Sequence, residues 1–257
     1  MLEIDINSDM GERPEALRDG SEEGLMRYIT SANIACGVHA GDDSIMEAVI
    51  DLARTYGVGV GAHPSFPDRE NFGRAEMNLS PDEIERCVYE QVVHLSKIAT
   101  KRKTELVHVK PHGALYNMAV KDSRIAEAIA LGVRKHSKLL ILFGLAGSKM
   151  LDTWRGLEMR VAGEAFADRA YEADGSLRSR KYSDSLITDP DEAARRVILM
   201  ATGGRVVAID GTVLSLHADT ICIHSDTPDS VRIAATVNNR LHQSNVEPSP
   251  ISKTLRG

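Results

Sequence analysis

The stretch ELVHVKPH, residues 105–112, places apolar and polar side chains at alternate positions. Side chains on a strand alternate with period two, so the two valines share one face and His108, Lys110 and His112 share the other. Strands of a parallel barrel are normally apolar on both faces, because helices cover the outside and packed side chains fill the inside. An ionisable inner face therefore predicts a polar cavity within a barrel.

Five further segments repeat this alternation, and helical patterns lie between the strands. The predicted strands are Leu2–Asn7, Ala32–Cys36, Val58–Ala62, Glu105–Val109, Leu139–Leu142, Met159–Gly163 and Thr220–His224. The predicted helices span residues 21–30, 43–56, 81–101, 122–136, 145–153, 190–202 and 229–243. Such alternation indicates βα units and a parallel sheet. Seven pairs without a break predict one closed or nearly closed α/β barrel over residues 1–246.

Three segments depart from this alternation of strands and helices. Residues 203–216 contain VVAID-GT-VLSL, which predicts an inserted β-hairpin. Residues 173–188 are polar and predict a long loop, which in a compact domain is often functional. Residues 247–257 contain proline and serine and predict a flexible tail.

The bulk composition argues against several classes of protein. The 257 residues carry a formal charge of −6 without a basic run, which argues against nucleic acid or an anionic membrane as a partner. Cys36, Cys87 and Cys222 form no CxxC pair, which is typical of a reducing compartment. The chain shows neither a signal-peptide pattern at its start nor an apolar run long enough to span a membrane. We therefore expect a cytoplasmic enzyme.

Carboxylates accompany the first predicted strand at Asp5, Asp9 and Glu12, and Asn7 shares the inner face with Asp5. Carboxylates in this place could orient a cation, hold Mg²⁺ or act as a general base. Alternatively, Asp9 and Glu12 only cap a turn. We prefer the turn-capping role for Glu12 but not for Asp5.

Histidines follow the second and third predicted strands at His39 and His63. Each is a candidate acid or base. Either Asp5 or Asp9 together with these two histidines would make a metal site of two imidazoles and one carboxylate. The spacing matches no known metal signature, so the acid–base and metal roles both stay open.

The fourth strand ends in Lys110 and His112. Lys110 on the inner face could stabilise an oxyanion or a phosphate. His112 could transfer a proton near neutral pH, unless it is simply exposed at the rim.

The sixth and seventh strands add Glu164, Asp168, Arg169, His224 and Asp226. The arginine either forms a structural ion pair or binds a carboxylate or phosphate. The sequence has no GxxxxGK[ST] loop, no strand-bound GxGxxG and no GxSxG elbow. It therefore shows no recognisable nucleotide site of its own.

Six segments together resemble the LamB/YcsF family and span nearly the whole chain in the family's order. They are DINSDMGE (5–12), SANIACGVHAGD (31–42), GAHPSFPDRENFGR (61–74), HVKPHGALYN (108–117), GEAFADRAY (163–171) and ICIHSDTP (221–228). Two positions depart from the family pattern. Ala75 replaces a residue that is usually basic or polar, and Ser225 stands where glycine is common, which puts the shape of the last loop in doubt.

The resemblance implies a (β/α)7-type barrel of the glycoside hydrolase/deacetylase-like kind. It also implies an ATP-dependent 5-oxoprolinase activity, in which 5-oxo-L-proline, ATP and water give L-glutamate, ADP and phosphate. In that family the activity needs two partner subunits, B and C, and ATP with Mg²⁺. This dependence fits the missing phosphate loop, and a homo-oligomer is left open.

With the resemblance, the candidate residues divide into three groups. The expected catalytic residues are Asp5, His39, His63, Lys110 and Glu164. The expected substrate-binding residues are Asn7, Asp9, His112, Asp168, Arg169, His224 and Asp226. The candidates for a metal site are Asp9, His39 and His63. Two alternatives remain, a stand-alone metal-dependent hydrolase or deacetylase and a non-catalytic subunit that binds the substrate.

Overall fold

Seven parallel strands close into a barrel in the computed structural model, which describes residues 2–255. The described residues form ten strands in all, which are β1 (Leu2–Met10), β2 (Ser31–Ala35), β3 (Gly59–His63), β4 (Leu106–Val109), β5 (Ile141–Leu145), β6 (Arg160–Phe166), β7 (Arg205–Val207), β8 (Val213–Ser215), β9 (Thr220–Cys222) and β10 (Val246–Pro248). The barrel order is β1–β2–β3–β4–β5–β6–β9, and β9 pairs with β1 to close it. The predicted α/β barrel is confirmed.

Residues 2–255 form ten helices, and only some of them begin at a side chain that caps the free N–H groups. They are α1 (Pro14–Arg18), α2 (Ser21–Met26), α3 (Asp43–Tyr56), α4 (Pro81–Lys101), α5 (Gly113–Lys121), α6 (Ser123–His136), α7 (Lys149–Gly156), α8 (Pro190–Gly203), α9 (Ser230–Gln243) and α10 (Ile251–Thr254). The Asp42 side chain accepts a hydrogen bond from the Ile45 N–H, and Ser80 forms a capping box with Glu83. These caps fix where α3 and α4 leave the barrel.

The apolar half of each alternating strand joins a core beneath the helices. Ile6, Ile34 and Val109 are buried in one hydrophobic cluster with the helix residues Val49 and Val88. The polar half of each strand consequently faces the barrel interior, because successive side chains point to opposite faces. This division carries the candidate residues into one enclosed space.

The sequence predicted one of two inserted segments but not the other. The predicted hairpin is confirmed, since β7 and β8 pair in antiparallel register. Helix α5 was not predicted, because it begins at Gly113 with a φ of 55° and has no side-chain cap.

The C-terminal segment closes the amino-terminal end of the barrel, so the expectation of a flexible tail does not hold for residues 247–255. Strand β10 pairs in parallel with the start of β1. The fully buried Ile251 of α10 then packs with Ile141, Phe143 and Ala162 inside the barrel. This burial offsets the entropy of ordering the segment. The remainder of the predicted tail, residues 256–257, lies outside the described residues.

Asp5 lies at this closed end and is fully buried. Its carboxylate accepts hydrogen bonds from the hydroxyls of Thr30, Ser31 and Thr220 and from the backbone N–H of Ile251. Burial raises its pKa to about 6, although these hydrogen bonds favour the charged form. The contacts give Asp5 a structural role, which is to join β1, β2, β9 and the C-terminal segment.

Among residues 2–255, no helix combines the length and the apolar character that a membrane crossing requires.

We predict that Asp5→Asn changes the pH dependence of stability. The folded-state pKa of about 6 exceeds the ordinary value of 3.8, so wild-type stability falls as pH rises from about 4 through 6. The variant lacks this loss. Its deficit in unfolding free energy, measured by urea denaturation, should shrink by about 2 kcal/mol between pH 4 and pH 7. An equal deficit at both pH values would contradict the assignment.

We also predict that Ile251→Ala destabilises the protein by about 2–4 kcal/mol, because it leaves a cavity in a packed interior. Lys253→Ala, an exposed change on the same helix, is the matched control and should cost less than about 0.5 kcal/mol. Equal effects of the two substitutions on the unfolding midpoint would show that α10 does not seal the barrel.

Candidate functional site

Lys110 lies among polar groups near the carboxyl ends of the strands. Its Nζ is 2.9 Å from Asp9 Oδ1 and 2.9 Å from Glu164 Oε1. It is also 3.3 Å from Asn7 Oδ1 and 3.1 Å from Cys222 Sγ. We call Asp9, Lys110 and Glu164 the lysine site. It draws on three barrel strands and is almost completely buried.

The charges of the lysine site stabilise one another. Burial lowers the pKa of Lys110, but its anionic neighbours, Asp9 first among them, hold that pKa well above its ordinary value. Burial raises the pKa of Asp9, but the charges of His63 and Lys110 hold it well below its ordinary value. At neutral pH the site therefore presents an ammonium group against a carboxylate.

Glu164 and Tyr116 retain unused hydrogen-bonding capacity beside Lys110. Neither oxygen of Glu164 has a well-aligned hydrogen bond, although Lys110 Nζ is close to Oε1. The buried Tyr116 hydroxyl is close to Glu164 but likewise has no well-aligned hydrogen bond within the described residues. Burial and the charge of Glu164 raise the pKa of Tyr116 well above its ordinary value. Unpartnered buried polar groups are costly, so these two could be satisfied by a polar ligand.

A second group, the histidine–glutamate cluster, consists of Glu12, His39, His63 and His112 and adjoins the lysine site. Glu12 Oε1 lies 3.1 Å from His39 Nε2, 3.0 Å from His112 Nδ1 and 3.6 Å from His63 Nε2. The arrangement could hold a metal ion. The expectation that Glu12 only caps a turn is wrong, because its carboxylate is buried among the three imidazoles.

The loop after β3 supports the histidine–glutamate cluster. The carbonyl of Phe72 lies 2.9 Å from His112 Nε2. Gly73 has a φ of 66°, and a Cβ there would lie 3.0 Å from His112 Cδ2 and 3.1 Å from the His39 Cβ. Glycine is needed at this position, since a side chain would strain the backbone and press on two histidines.

Hydrogen bonds from Arg69 stabilise the turn that carries His39. Its guanidinium donates to the carbonyl oxygens of Gly37 and Gly41, at 2.9 Å and 3.0 Å. Burial lowers the pKa of His39 to about 4.

Asp168 orients His224 on the opposite side of the lysine site. One Asp168 oxygen lies 2.9 Å from His224 Nδ1, and the other accepts from the His224 N–H and the Thr227 hydroxyl. Burial raises the pKa of Asp168, but the charge and hydrogen bonds of His224, with that of Thr227, hold it below its ordinary value. His224 also has a donor atom within 4.8 Å of those of Asp9 and Cys222.

Arg169 binds protein backbone rather than the lysine site. It donates to the carbonyl oxygens of Ser185 and Arg178, at 3.4 Å and 2.6 Å. Burial lowers its pKa to about 10. These contacts hold residues 178–185 against the end of β6.

Asp226 lies at the rim of the barrel. Its Oδ2 is 2.7 Å from Arg74 Nη2 and 3.0 Å from Arg180 Nη1. Asp226 thereby links the loop after β3 to the loop after β6.

The structure brings most of the predicted site residues to one end of the barrel. They are Asn7, Asp9, His39, His63, Lys110, His112, Glu164, Asp168 and His224. Asp5 does not join them, because it lies two residues before Asn7 on the same face, roughly 6–7 Å farther down the strand. Arg169 and Asp226 contact loops instead.

Sequence reasoning left three residues of this region out of the candidate site: Glu12, Tyr116 and Cys222. Glu12 follows Gly11, whose φ of 72° turns the chain after β1. The Gly11 N–H donates to Glu22, and this contact holds the turn. Gly11 could have indicated the position of Glu12 from the sequence. A glycine between a strand and an acidic residue predicts a turn, and the turn changes the direction in which the acidic side chain points.

Comparison with known proteins identifies relatives of this chain. The A subunit of 5-oxoprolinase from Chloroflexus aggregans is 48% identical over 246 residues, which cover 96% of this chain and 98% of the relative. The crystal structure of a lactam utilization protein from Thermus thermophilus superposes with a TM-score of 0.90 at 42% identity, over 96% of this chain and 99% of that one.

A more distant structure shares the fold alone. A peptidoglycan deacetylase from Bacillus subtilis matches with a TM-score of 0.51 at 15% identity, over 98% of this chain and 89% of that one. The sequence pattern of the LamB/YcsF family matches residues 4–256. This chain belongs to the LamB/YcsF family.

Proposed function

We propose that this chain takes part in the ATP-dependent hydrolysis of 5-oxo-L-proline to L-glutamate, as the A component of a cytoplasmic three-subunit enzyme with partners B and C. The observation that carries the proposal is the lysine site, in which a buried ammonium lies 2.9 Å from each of two carboxylates. Further support comes from the 5-oxoprolinase name of a relative that is 48% identical to this chain.

The proposed reaction has three bond-changing steps. The lactam carbonyl oxygen of 5-oxoproline first takes the terminal phosphoryl group of ATP, which leaves ADP and makes the carbonyl carbon more electrophilic. Water then adds to that carbon, the C–N bond breaks and the nitrogen takes a proton, which leaves an acyl phosphate of glutamate. A second water cleaves this acyl phosphate, and phosphate departs. The products are L-glutamate, ADP and phosphate. A simple amide resists water, so activation of the oxygen is what makes hydrolysis feasible.

The lysine site supplies groups for phosphoryl transfer and for the attack of water. Lys110 can stabilise negative charge on the lactam oxygen or the phosphoryl group, because its ammonium is fixed in a poorly solvated place. Glu164 has unused acceptor capacity and can take a proton from the attacking water. Tyr116 carries a buried hydroxyl that can bind a substrate oxygen or nitrogen. We therefore assign general-base work to Glu164, with Asp9 holding Lys110 in place.

ATP handling is assigned to the assembled enzyme. The sequence contains no GxxxxGK[ST] loop. Mg²⁺ would enter with ATP as its usual counter-ion, bound mainly by phosphate oxygens. The partners would bring the nucleotide to the barrel end that carries the lysine site.

We predict that Glu164→Gln lowers 5-oxoproline-dependent ATP hydrolysis and glutamate formation at least about 100-fold in the three-subunit complex. The amide keeps the size of the side chain but cannot accept a proton. His94→Ala, an exposed histidine on α4, is the control and should turn over like wild type. Thermal unfolding of both variants checks that the barrel is intact. Wild-type turnover by a folded Glu164→Gln variant would remove this residue from the mechanism.

The same assay without the partners separates the alternatives. We expect neither ATP hydrolysis nor glutamate from this chain alone. Glutamate formed without ATP would favour a stand-alone hydrolase. Unchanged binding of 5-oxoproline, measured by calorimetry, together with unchanged turnover in the Asp9→Asn and Glu164→Gln complexes would favour a subunit that only binds the substrate.

A further inference from the structure

We infer that the histidine–glutamate cluster is a binding site for one divalent transition metal ion, with zinc as the best-matched ion. The inference rests on which atoms carry hydrogens. Each imidazole of the cluster has one ring nitrogen directed at a fixed protein group and the other directed at the centre of the cluster.

The tautomers of His63 and His112 follow from their partners. His63 Nδ1 lies 2.7 Å from the carbonyl oxygen of Lys110, and His112 Nε2 lies 2.9 Å from the carbonyl oxygen of Phe72. A carbonyl oxygen only accepts, so each of these nitrogens must carry the hydrogen. The opposite nitrogens, His63 Nε2 and His112 Nδ1, are then lone-pair acceptors, and they face one another at 3.0 Å.

His39 differs because its partner is a hydroxyl. The Ser65 hydroxyl lies 2.9 Å from the Phe66 carbonyl and 2.9 Å from His39 Nδ1, and its one hydrogen can serve either of them. When it donates to Phe66, His39 Nε2 carries a lone pair that faces Glu12 Oε1 at 3.1 Å. In that arrangement four acceptor atoms meet without a hydrogen between them.

Additional protons would relieve the repulsion between these facing acceptor atoms less completely than a cation would. His112 Nδ1 lies 3.0 Å from both Glu12 and His63, so one hydrogen on it would be shared between two acceptors. His112 would then be a buried imidazolium, and its ring is stacked on that of His39 with centroids 4.0 Å apart. One divalent cation accepts all four lone pairs at once.

The distances fit such an ion. A tetrahedral ion with ligand bonds of about 2.0–2.1 Å places its ligand atoms about 3.3–3.4 Å from one another. Four of the six distances between these atoms are 3.0, 3.0, 3.1 and 3.6 Å, and all six are within 4.8 Å. The hydrogen bonds on the far ring nitrogens are the outer contacts that orient metal-binding histidines.

Charge and ligand type indicate the class of ion. Three imidazoles with one carboxylate suit zinc and its neighbours in the first transition row better than Mg²⁺ or Ca²⁺, which prefer oxygen. Glu12 offsets one positive charge, and Asp9 Oδ2 lies only 3.5 Å from His63 Nε2. Four protein ligands make a closed site, so the ion would position Asp9, and through it Lys110, rather than bind the substrate.

The test uses the full chain after chelator treatment, without partners or substrate, so its result does not depend on the proposed activity. Zn²⁺ is titrated by calorimetry, and Co²⁺ is titrated by visible absorption, which reports tetrahedral coordination. We expect one equivalent of either ion and a higher unfolding temperature in the loaded protein. The variants Glu12→Gln and His63→Ala should weaken binding at least about tenfold, whereas the exposed His94→Ala should bind like wild type.

Two results would overturn the inference. One is uptake of far less than one equivalent by the wild type, or cobalt without tetrahedral bands, which would leave a protonated cluster. The other is wild-type affinity in both cluster variants. If a variant does not fold, the wild-type stoichiometry and cobalt spectrum decide the question by themselves.

Discussion

The ion pairs of Lys110 are the interaction on which the barrel interior depends. Removing an ammonium from water is expensive, and the nearby carboxylates repay that cost only if their geometry is held closely. Asp9 and Glu164 come from different strands and meet the ammonium at 2.9 Å each. The strand register thus matters for charge as well as for packing, since a shift of one residue would turn these groups to the opposite face.

Asp9 connects the two polar groups of the barrel. One of its oxygens contacts Lys110, and the other lies 3.5 Å from His63. Any change in the charge of the histidine–glutamate cluster would therefore act on the lysine site through a single carboxylate. The shared residue explains why the two groups form one continuous site, although their chemical characters differ.

The face on which each side chain lies could be predicted from the sequence, but its height along the barrel could not. Alternation with period two is a local property, and it placed Asp5, Lys110 and Glu164 correctly inside the barrel. Height depends on the stagger between strands, which comes from closing the sheet. That stagger leaves Asp5 at the closed end with Ile251, while Lys110 and Glu164 meet near the open end. The buried position of Ile251 was equally hidden, because its partners are distant in sequence.

Strand β1 is held from several sides: its first residues pair with β10, its middle with β9 and its last with β2. During synthesis β1 leaves the ribosome before β9 and β10, which follow it at a large distance along the chain. Until then β1 has an unsatisfied edge, and such edges invite association with other chains. Completion of the fold must therefore wait for late, long-range pairing, which is intrinsically slow. Unpaired strand edges that persist during folding are prone to aggregation.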